Sequence, residues 1–313
     1  MSHIKPIRQV TVIGTGVIGA SWAALFLAKG LDVIAIDVSL NAESSLRKFV
    51  LTAWPALERL GLTPGASPLR LFFTSDLAEA VKDVDFVQES GPEQLDFKQE
   101  LYGQLDALLP PDVIIASSSS GLPMSQIQLG ATIHPERCVI GHPFNPPHLM
   151  PLVEIVGGPL TSEATIRRAQ DFYRSLGKQT VRINKEMPGH VASRLQAALA
   201  REAYYLVAEG ALSAADVDTA LTAGPGLRWS VMGNMMLDHL SGGPGGIEHF
   251  LQHFGAPLTA SWKSLGSPEL TPEVQRKLSE SVRAEVGTRT IEELEAERDD
   301  RLLEILELRA NAI

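Results

Sequence analysis

His142 and Glu154 are the pair in this chain whose types and spacing most directly suggest chemistry. They lie twelve residues apart within Gly141 to Val156, Gly-His-Pro-Phe-Asn-Pro-Pro-His-Leu-Met-Pro-Leu-Val-Glu-Ile-Val. The proline-rich stretch between them reads as a rigid turn joining two short apolar strands, which would bring both side chains to the same sheet edge. An imidazole whose far nitrogen is held by a carboxylate is a good proton acceptor near neutral pH. The Ser117 to Ser120 run suits binding of a reacting oxygen better than nucleophilic attack, because it lacks the GxSxG elbow. His249 and His253 sit one helical turn apart, but no HExxH or cysteine pair accompanies them. They read as a solvated helix face, and no metal is expected. His134 and His3 are expected at the surface.

The elements that must position this base begin at the N-terminus. Gln9 to Ile13 is a short Val/Ile-rich run, a buried parallel strand by pattern. Gly14-Thr15-Gly16-Val17-Ile18-Gly19 follows at once, then apolar residues at helical spacing to Lys29 and a glycine stop at Gly30. A second apolar strand, Val33 to Ile36, ends at Asp37, 18 residues after the last glycine. In this strand–turn–helix context the glycines are a dinucleotide signature. Gly14 permits the tight turn, Gly16 lets a pyrophosphate approach the backbone, and Gly19 lets helix and strand pack closely. The helix start at Val17 and Ile18 supplies free N–H groups and partial positive charge. Asp37 is placed to accept hydrogen bonds from the adenosine ribose and to repel a 2′-phosphate, so NAD is expected over NADP.

The 313 residues suffice for two domains. A net charge of −10 argues against nucleic acid and anionic membrane surfaces as partners. No apolar run approaches the ~18 residues of a membrane span. The start, Met-Ser-His-Ile-Lys, fits no signal peptide. A single cysteine, Cys138, excludes an internal disulfide, reads as inert core, and agrees with a cytoplasmic home.

Strand and helix alternate through the first half, as in a doubly wound sheet. Helices are expected at Asn41 to Leu60, Gln94 to Leu108 and Thr161 to Leu176. Further strands are expected at Arg70 to Phe73, Phe86 to Glu89, Val113 to Ser117, Cys138 to Gly141, Leu152 to Val156 and Gln179 to Ile183. From His190 onward nearly everything has helical periodicity, with Thr271-Pro272 and the Thr290/Glu293 capping-box spacing marking helix starts. The expected organisation is an α/β Rossmann-type NAD-binding domain over residues 1–187, then an all-α substrate and dimerisation domain over 188–313. A homodimer is expected by analogy with helical domains that bury long apolar faces.

Together these motifs resemble the 3-hydroxyacyl-CoA dehydrogenase superfamily over nearly the whole chain. The resemblance rests on Gly14 to Gly19, Gln88-Glu89-Ser90 with Pro92-Glu93, Ala116 to Gly121, His142 to Pro146 and Pro151 to Glu154. Trp54-Pro55-Ala56-Leu57, Gly226-Leu227-Arg228-Trp229 and Thr290 to Asp300 point to the short-chain L-carnitine dehydrogenases. The L-gulonate 3-dehydrogenase and lambda-crystallin group is next. The resemblance implies His142 as general base, Glu154 as its orienting carboxylate and Ser120 as the hydrogen-bond partner of the reacting oxygen. It also implies Asn145 near the nicotinamide, Glu93 and Lys98 on the ribose and nicotinamide side, and Ser90 and Gly91 on the cofactor's backbone face. Two departures stand out. Where the superfamily carries a Gly-Phe-x-x-Asn-Arg segment, this chain reads Gly189-His190-Val191-Ala192-Ser193-Arg194, and the shorter reach of Ser193 implies a contact to the substrate oxygen that is rearranged or bridged by water. Pro147-His148 replaces an aliphatic–aromatic pair.

The implied reaction is NAD-dependent oxidation of a small 3-hydroxy acid to its 3-keto acid, with L-carnitine favoured. L-gulonate, 3-hydroxybutyrate and a 3-hydroxyacyl-CoA are the alternatives. Arg228 is the candidate for the substrate carboxylate, and Trp229 offers an aromatic face to a quaternary ammonium. Residues 41–70 carry Arg47, Lys48, Arg59 and Arg70 against Glu43 and Glu58. Four basic and two acidic residues give only +2 for the phosphates of CoA, which favours a free acid. A dinucleotide-binding structural protein, as in lens crystallins, is the non-enzymatic alternative. It has no need of His142 and Glu154.

Overall fold

The computed structural model describes residues 6–310. Eight strands form one sheet in the order β3-β2-β1-β4-β5-β6-β7-β8. They are β1 (Gln9–Ile13), β2 (Asp32–Ile36), β3 (Leu71–Thr74), β4 (Phe86–Glu89), β5 (Ile114–Ser117), β6 (Cys138–Pro143), β7 (Leu152–Val156) and β8 (Gln179–Ile183). β1 to β6 run parallel. The chain builds outward from β1 through β2 to β3, then crosses to the other side of β1 to lay down β4. That reversal opens a crevice above the carboxyl ends of β1 and β4, the usual ligand position in such sheets. β7 returns antiparallel to β6. A parallel return needs a crossover of a dozen or more residues, and the connection over 144–151 is too short for one.

Helices α1 (Val17–Ala28), α2 (Ala42–Leu60) and α6 (Glu163–Ser175) cover one face of the sheet. Their Trp22, Phe26, Leu46, Val50, Phe172 and Tyr173 form one core with Val10, Val12, Val33 and Phe86. The helices α3 (Leu77–Ala80), α4 (Leu95–Leu108) and α5 (Met124–Ile127) cover the other face. There Tyr102, Leu105, Met124 and Ile127 meet Val87, Ile115 and Ile140. Alternate strand residues thus feed opposite cores, as a sheet buried on both faces requires. The one-turn helices α3 and α5 are too short to show a helical period in the sequence.

Beyond β8 the described chain is helical: α7 (Ala192–Ala208), α8 (Ala214–Ala223), α9 (Pro225–Trp229), α10 (Asn234–Ser241), α11 (Gly246–Ser264), α12 (Pro272–Val286) and α13 (Ile291–Ala310). The expected class, a Rossmann-type α/β domain followed by a helical one, is the class observed. By compactness, one unit takes in the described residues up to Arg194 together with those from Glu295 on, and the other is Leu195–Leu294. The last helix therefore counts mostly with the sheet, rather than with the helical segment to which the 188–313 division assigned it. Its Leu303 is buried, and its Glu307 pairs with Arg59 of α2 at 3.0 Å. Within the second unit, the ring of Tyr205 lies where a Cβ on Gly266 would be, so these segments pack at glycine distance. Thr290 and Glu293 exchange backbone hydrogen bonds at 2.8 and 3.2 Å, a capping box. Among the described residues no helix is long and apolar enough to cross a membrane.

Gly141 shows how tightly the strand bearing the presumed base is packed. A Cβ there would come within 2.1 Å of the Tyr173 hydroxyl, which is buried and donates to Gln88 Oε1 at 2.6 Å. Gly141→Ala must push that ring aside, so stability should fall by about 1–3 kcal/mol. Denaturant titration checks this, and an unchanged midpoint would show the contact to be slack.

Candidate active site

His142 and Glu154 are directly opposed across β6 and β7, and opposed residues project from the same face. Both side chains are buried, and His142 Nδ1 lies 2.8 Å from Glu154 Oε2. The pair lies between interior strands, at the end of the sheet where β1, β4, β5 and β6 finish, rather than at a lateral edge. The second oxygen of Glu154 accepts from the backbone N–H groups of Val191 and Ala192, both at 2.9 Å. One carboxylate thus orients the imidazole and caps the start of α7. Burial alone would raise the Glu154 carboxyl, but bonds from His142 and from the amides of Ala192 and Val191 hold it below the usual carboxylate range. An ionised Glu154 keeps the hydrogen on His142 Nδ1. That leaves a lone pair on Nε2, the arrangement of a general base.

A second buried carboxylate organises the crevice beside it. Glu89, fully buried at the end of β4, accepts from Lys98 Nζ at 2.7 and 2.9 Å, from Ser117 Oγ at 2.6 Å and from the Gly91 N–H at 2.6 Å. Lys98 is only 1% exposed. In this ligand-free structure its ammonium pairs with Glu89 and lies 3.6 Å from Glu93. Glu93 is partly exposed. Its Oε1 accepts from Ser119 Oγ at 2.7 Å and from the N–H groups of Gly121 and Leu122 at 2.8 and 3.2 Å. Desolvation pushes its carboxyl up, yet these bonds and Lys98 bring it below the ordinary range. Ser90 and Ser118 share a bond at 2.9 Å, and Ser118 also receives Gln88 at 2.9 Å and Trp22 at 3.3 Å.

The glycine turn fits a dinucleotide. Gly14 has φ +83° and a Cβ there would strike the Ser90 carbonyl, while one on Gly19 would strike the Gly14 carbonyl at 1.8 Å. Both glycines are demanded by the protein itself. A Cβ on Gly16 meets nothing within 4 Å. That open space sits at the N-cap of α1, where no side chain caps the helix, which is what a pyrophosphate approaching Val17 and Ile18 needs. Asp37 Oδ2 accepts from the Thr15 N–H at 2.8 Å and the Thr15 hydroxyl at 2.9 Å, and Oδ1 from the Ser39 N–H at 2.9 Å. Against partial burial, these bonds hold its carboxyl below the usual range, so it remains an anion beside the turn.

The remaining candidates are placed as follows. Ser120 is exposed on the loop after β5, Asn145 is exposed just past β6 in a cis peptide with Pro146, and Ser193 is half-buried in the first turn of α7. Ser90 and Gly91 are half-buried at the mouth of the crevice. Arg228 and Trp229 lie on α9 in the other unit and are exposed there, with Trp229 Nε1 donating to Asn234 at 3.2 Å. His148, the second sequence departure, pins the loop between the catalytic strands. Its backbone N–H donates to Ser21 Oγ and its ring nitrogen receives Ser21 back, both at 2.8 Å. Lys178 donates to the carbonyls of Pro147 and Met150 in the same loop.

One site residue escaped the sequence reading. His190 is 3% exposed, and its ring centroid lies 4.9 Å from that of His142. A lone histidine between a glycine and a valine gives no periodic signal; its place in the Gly189 to Arg194 segment was the only clue.

Comparison with known proteins adds to this geometry. Residues 9–187 match the family model described as 3-hydroxyacyl-CoA dehydrogenase, NAD binding domain, and residues 189–288 match the corresponding C-terminal domain. An L-carnitine dehydrogenase of Streptomyces coelicolor is 48% identical over 306 residues, covering 98% of this chain and 96% of that protein. Another, from Pseudomonas sp., is 48% identical over 307 residues, covering 98% and 95%. Among solved structures, a 5-formyl-3-hydroxy-2-methylpyridine 4-carboxylic acid 5-dehydrogenase, described as an NAD+-dependent dismutase, matches with a TM-score of 0.82 and 30% identity over 97% of this chain and 98% of that one. A (S)-3-hydroxybutyryl-CoA dehydrogenase from Ralstonia eutropha matches with a TM-score of 0.64 and 25% identity, covering 90% and 95%.

The two glycines should separate cleanly. Gly19→Ala should destabilise the ligand-free protein, because its Cβ collides with backbone. Gly16→Ala should leave ligand-free stability within about 1 kcal/mol and weaken dinucleotide binding by at least about tenfold. Thermal unfolding with and without NAD checks both, and Gly16→Ala binding NAD as wild type would remove the pyrophosphate from that turn.

Proposed function

The chain belongs to the 3-hydroxyacyl-CoA dehydrogenase family, and from that premise we propose that it oxidises L-carnitine at its 3-hydroxyl to the 3-keto acid. It is an NAD-dependent dehydrogenase of a small 3-hydroxy acid. The observation that carries the chemical reading is the His142–Glu154 contact, with Glu154 fixed in turn by two helix amides. The relatives named as L-carnitine dehydrogenases at near full length carry the substrate.

NAD, when bound, accepts the hydride from the carbon that bears the hydroxyl. Gly14, Gly16, Gly19, Val17 and Ile18 would hold its pyrophosphate and Asp37 its adenosine ribose. Glu93 and Lys98 would lie on its ribose and nicotinamide side, Asn145 near the nicotinamide, and Ser90 and Gly91 on its backbone face. His142 takes the hydroxyl proton on Nε2 and becomes an imidazolium, which the adjacent Glu154 carboxylate stabilises. Ser120 hydrogen-bonds the reacting oxygen, and Ser193 contributes through a bridging water. Arg228 remains a candidate for one contact to the substrate's carboxylate, and Trp229 for its cationic end.

A free acid is favoured over a CoA thioester. Three of the four cations over residues 41–70 already have carboxylate partners: Arg47 with Glu43 at 2.8 Å, Arg59 with Glu307 at 3.0 Å and Arg70 with Asp32 at 3.0 Å. The non-enzymatic crystallin-like reading has no use for a buried, oriented imidazole. We further propose a cytoplasmic homodimer with substrate and dimer contacts in residues 188–313. The exposed Met235, Leu240, Leu251 and Trp262 of the helical unit support the dimer.

A panel of L-carnitine, L-gulonate, 3-hydroxybutyrate and 3-hydroxybutyryl-CoA with NAD and NADP, read at 340 nm, tests the assignment. L-carnitine with NAD should give the highest kcat/KM, and no signal from any acid would refute a dehydrogenase. His142→Gln should lower kcat by about 10²–10⁴ while NAD affinity stays nearly unchanged. Light scattering should give twice the chain mass, and a monomer at assay concentration would remove the dimer.

A further inference from the structure

The buried ring of His190 is unused by the chemistry above. Its Nε2 is 2.9 Å from the Ser119 carbonyl. A carbonyl only accepts, so Nε2 carries the hydrogen and the neutral ring offers a bare lone pair at Nδ1. That Nδ1 is buried and has no hydrogen-bond partner among the described residues. Buried polar atoms without partners are costly and rare. The backbone at His190 is itself unfavourable, with φ +49°, the one left-handed non-glycine residue among those described. The same turn supplies the two amides that hold Glu154, so this ring is fixed relative to the base. It stands where the family segment carries phenylalanine, which has no polar atom to leave unpaired.

We propose that His190 binds the substrate carboxylate, taking up one proton from solvent as the acid binds and donating from Nδ1. This rests on the 3-hydroxy acid reading. L-carnitine brings one hydroxyl hydrogen, and His142 needs it, so this acid has no donor to offer a neutral Nδ1. Its carboxylate is two carbon–carbon bonds from the carbon that bears the hydroxyl. A ring 4.9 Å from that of the base is therefore well placed for it. Three ionisable groups face His190: His142 from β6 opposes its charge, while Glu154 from β7 and Glu93 from the loop before α4 favour it. Burial, the largest influence, keeps the free ring neutral, below the usual histidine range. A bound carboxylate reverses that balance. Once His142 has taken the hydroxyl proton, two imidazolium rings stand among three carboxylates.

The test is titration calorimetry of the NADH-loaded enzyme with L-carnitine, a pair that cannot react, in buffers of differing ionisation enthalpy near pH 8. Wild type should take up about one proton per site. His190→Phe should take up none and bind L-carnitine roughly 10- to 100-fold more weakly. The methyl ester of L-carnitine, which has neither the carboxylate charge nor an amide donor, should bind both proteins nearly equally. In turnover KM for the acid should rise with kcat changed far less. His190→Gln, which donates from a neutral amide, should recover part of the affinity without proton uptake. NADH affinity of each variant reports that the site has folded. Absence of proton uptake by wild type, or equal L-carnitine affinity in wild type and His190→Phe, overturns the assignment while oxidation of the acid still stands. A wild type that oxidises no 3-hydroxy acid overturns both.

Discussion

The site depends on one carboxylate serving two masters. Glu154 receives the ring N–H of His142 through one oxygen and the first amides of α7 through the other. The antiparallel return of β7 puts it opposite the imidazole, and the end of β8 leads the chain back to deliver the helix start. A charge at a helix N-terminus is favoured by the unpaired amides and the helix dipole. This offsets the penalty of burying Glu154 and keeps it ionised. Loss of that charge would release the imidazole tautomer and the helix start together. The base is therefore as rigid as the junction between strand and helix that it sits on.

The same economy governs the crevice. Glu89 and Lys98 form a buried ion pair that would be no net gain by itself. Ser117 and the Gly91 amide complete the satisfaction of the Glu89 oxygens, tying the ends of β4 and β5 together. This explains why a lysine that resembles a ligand-binding residue can be wholly covered. Its ammonium holds both oxygens of Glu89, Glu89 fixes the Gly91 turn, and Glu93 in turn holds the loop that carries Ser119 to Leu122. Positioning here passes through carboxylates that accept three or four bonds each, which tolerates little displacement of any partner.

What the sequence disclosed follows from how local each constraint is. Gly19 was legible because it solves a collision with nearby Gly14, Gly14 because the tight turn takes a positive φ, and Gly16 because open space at a helix start has few other uses. The strands were legible because a doubly covered sheet demands unbroken apolar runs. His142 and Glu154 were visible as a pair, but their register across β6 and β7 required the turn geometry. The burial of Lys98 was not legible because it depends on Glu89 and Ser117, which come from other elements. The last helix carries an exposed, charged surface, so nothing in its pattern told which unit it joins; Leu303 and the Arg59 contacts decide that. His190 was hidden because a single buried histidine has neither period nor partner in sequence.

The departure at Gly189 to Arg194 makes sense when its two changes are taken together. Asparagine to serine at 193 shortens a donor in the first turn of α7. Phenylalanine to histidine at 190 adds ring nitrogens three residues earlier, before the helix begins. Hydrogen-bonding capacity has thus moved from the helix to the turn, onto a ring whose centroid lies 4.9 Å from that of His142. The turn is also the more rigid support. It is bound on one side by Glu154 through the amides of 191 and 192, and on the other by the Ser119 carbonyl through the His190 ring. A polar group there is held by two separate elements of the sheet unit, β7 and the loop after β5. For a small acid without the long handle of CoA, binding must come from groups close to the reacting carbon. A polar ring fixed beside the base is the kind of group such a substrate can reach.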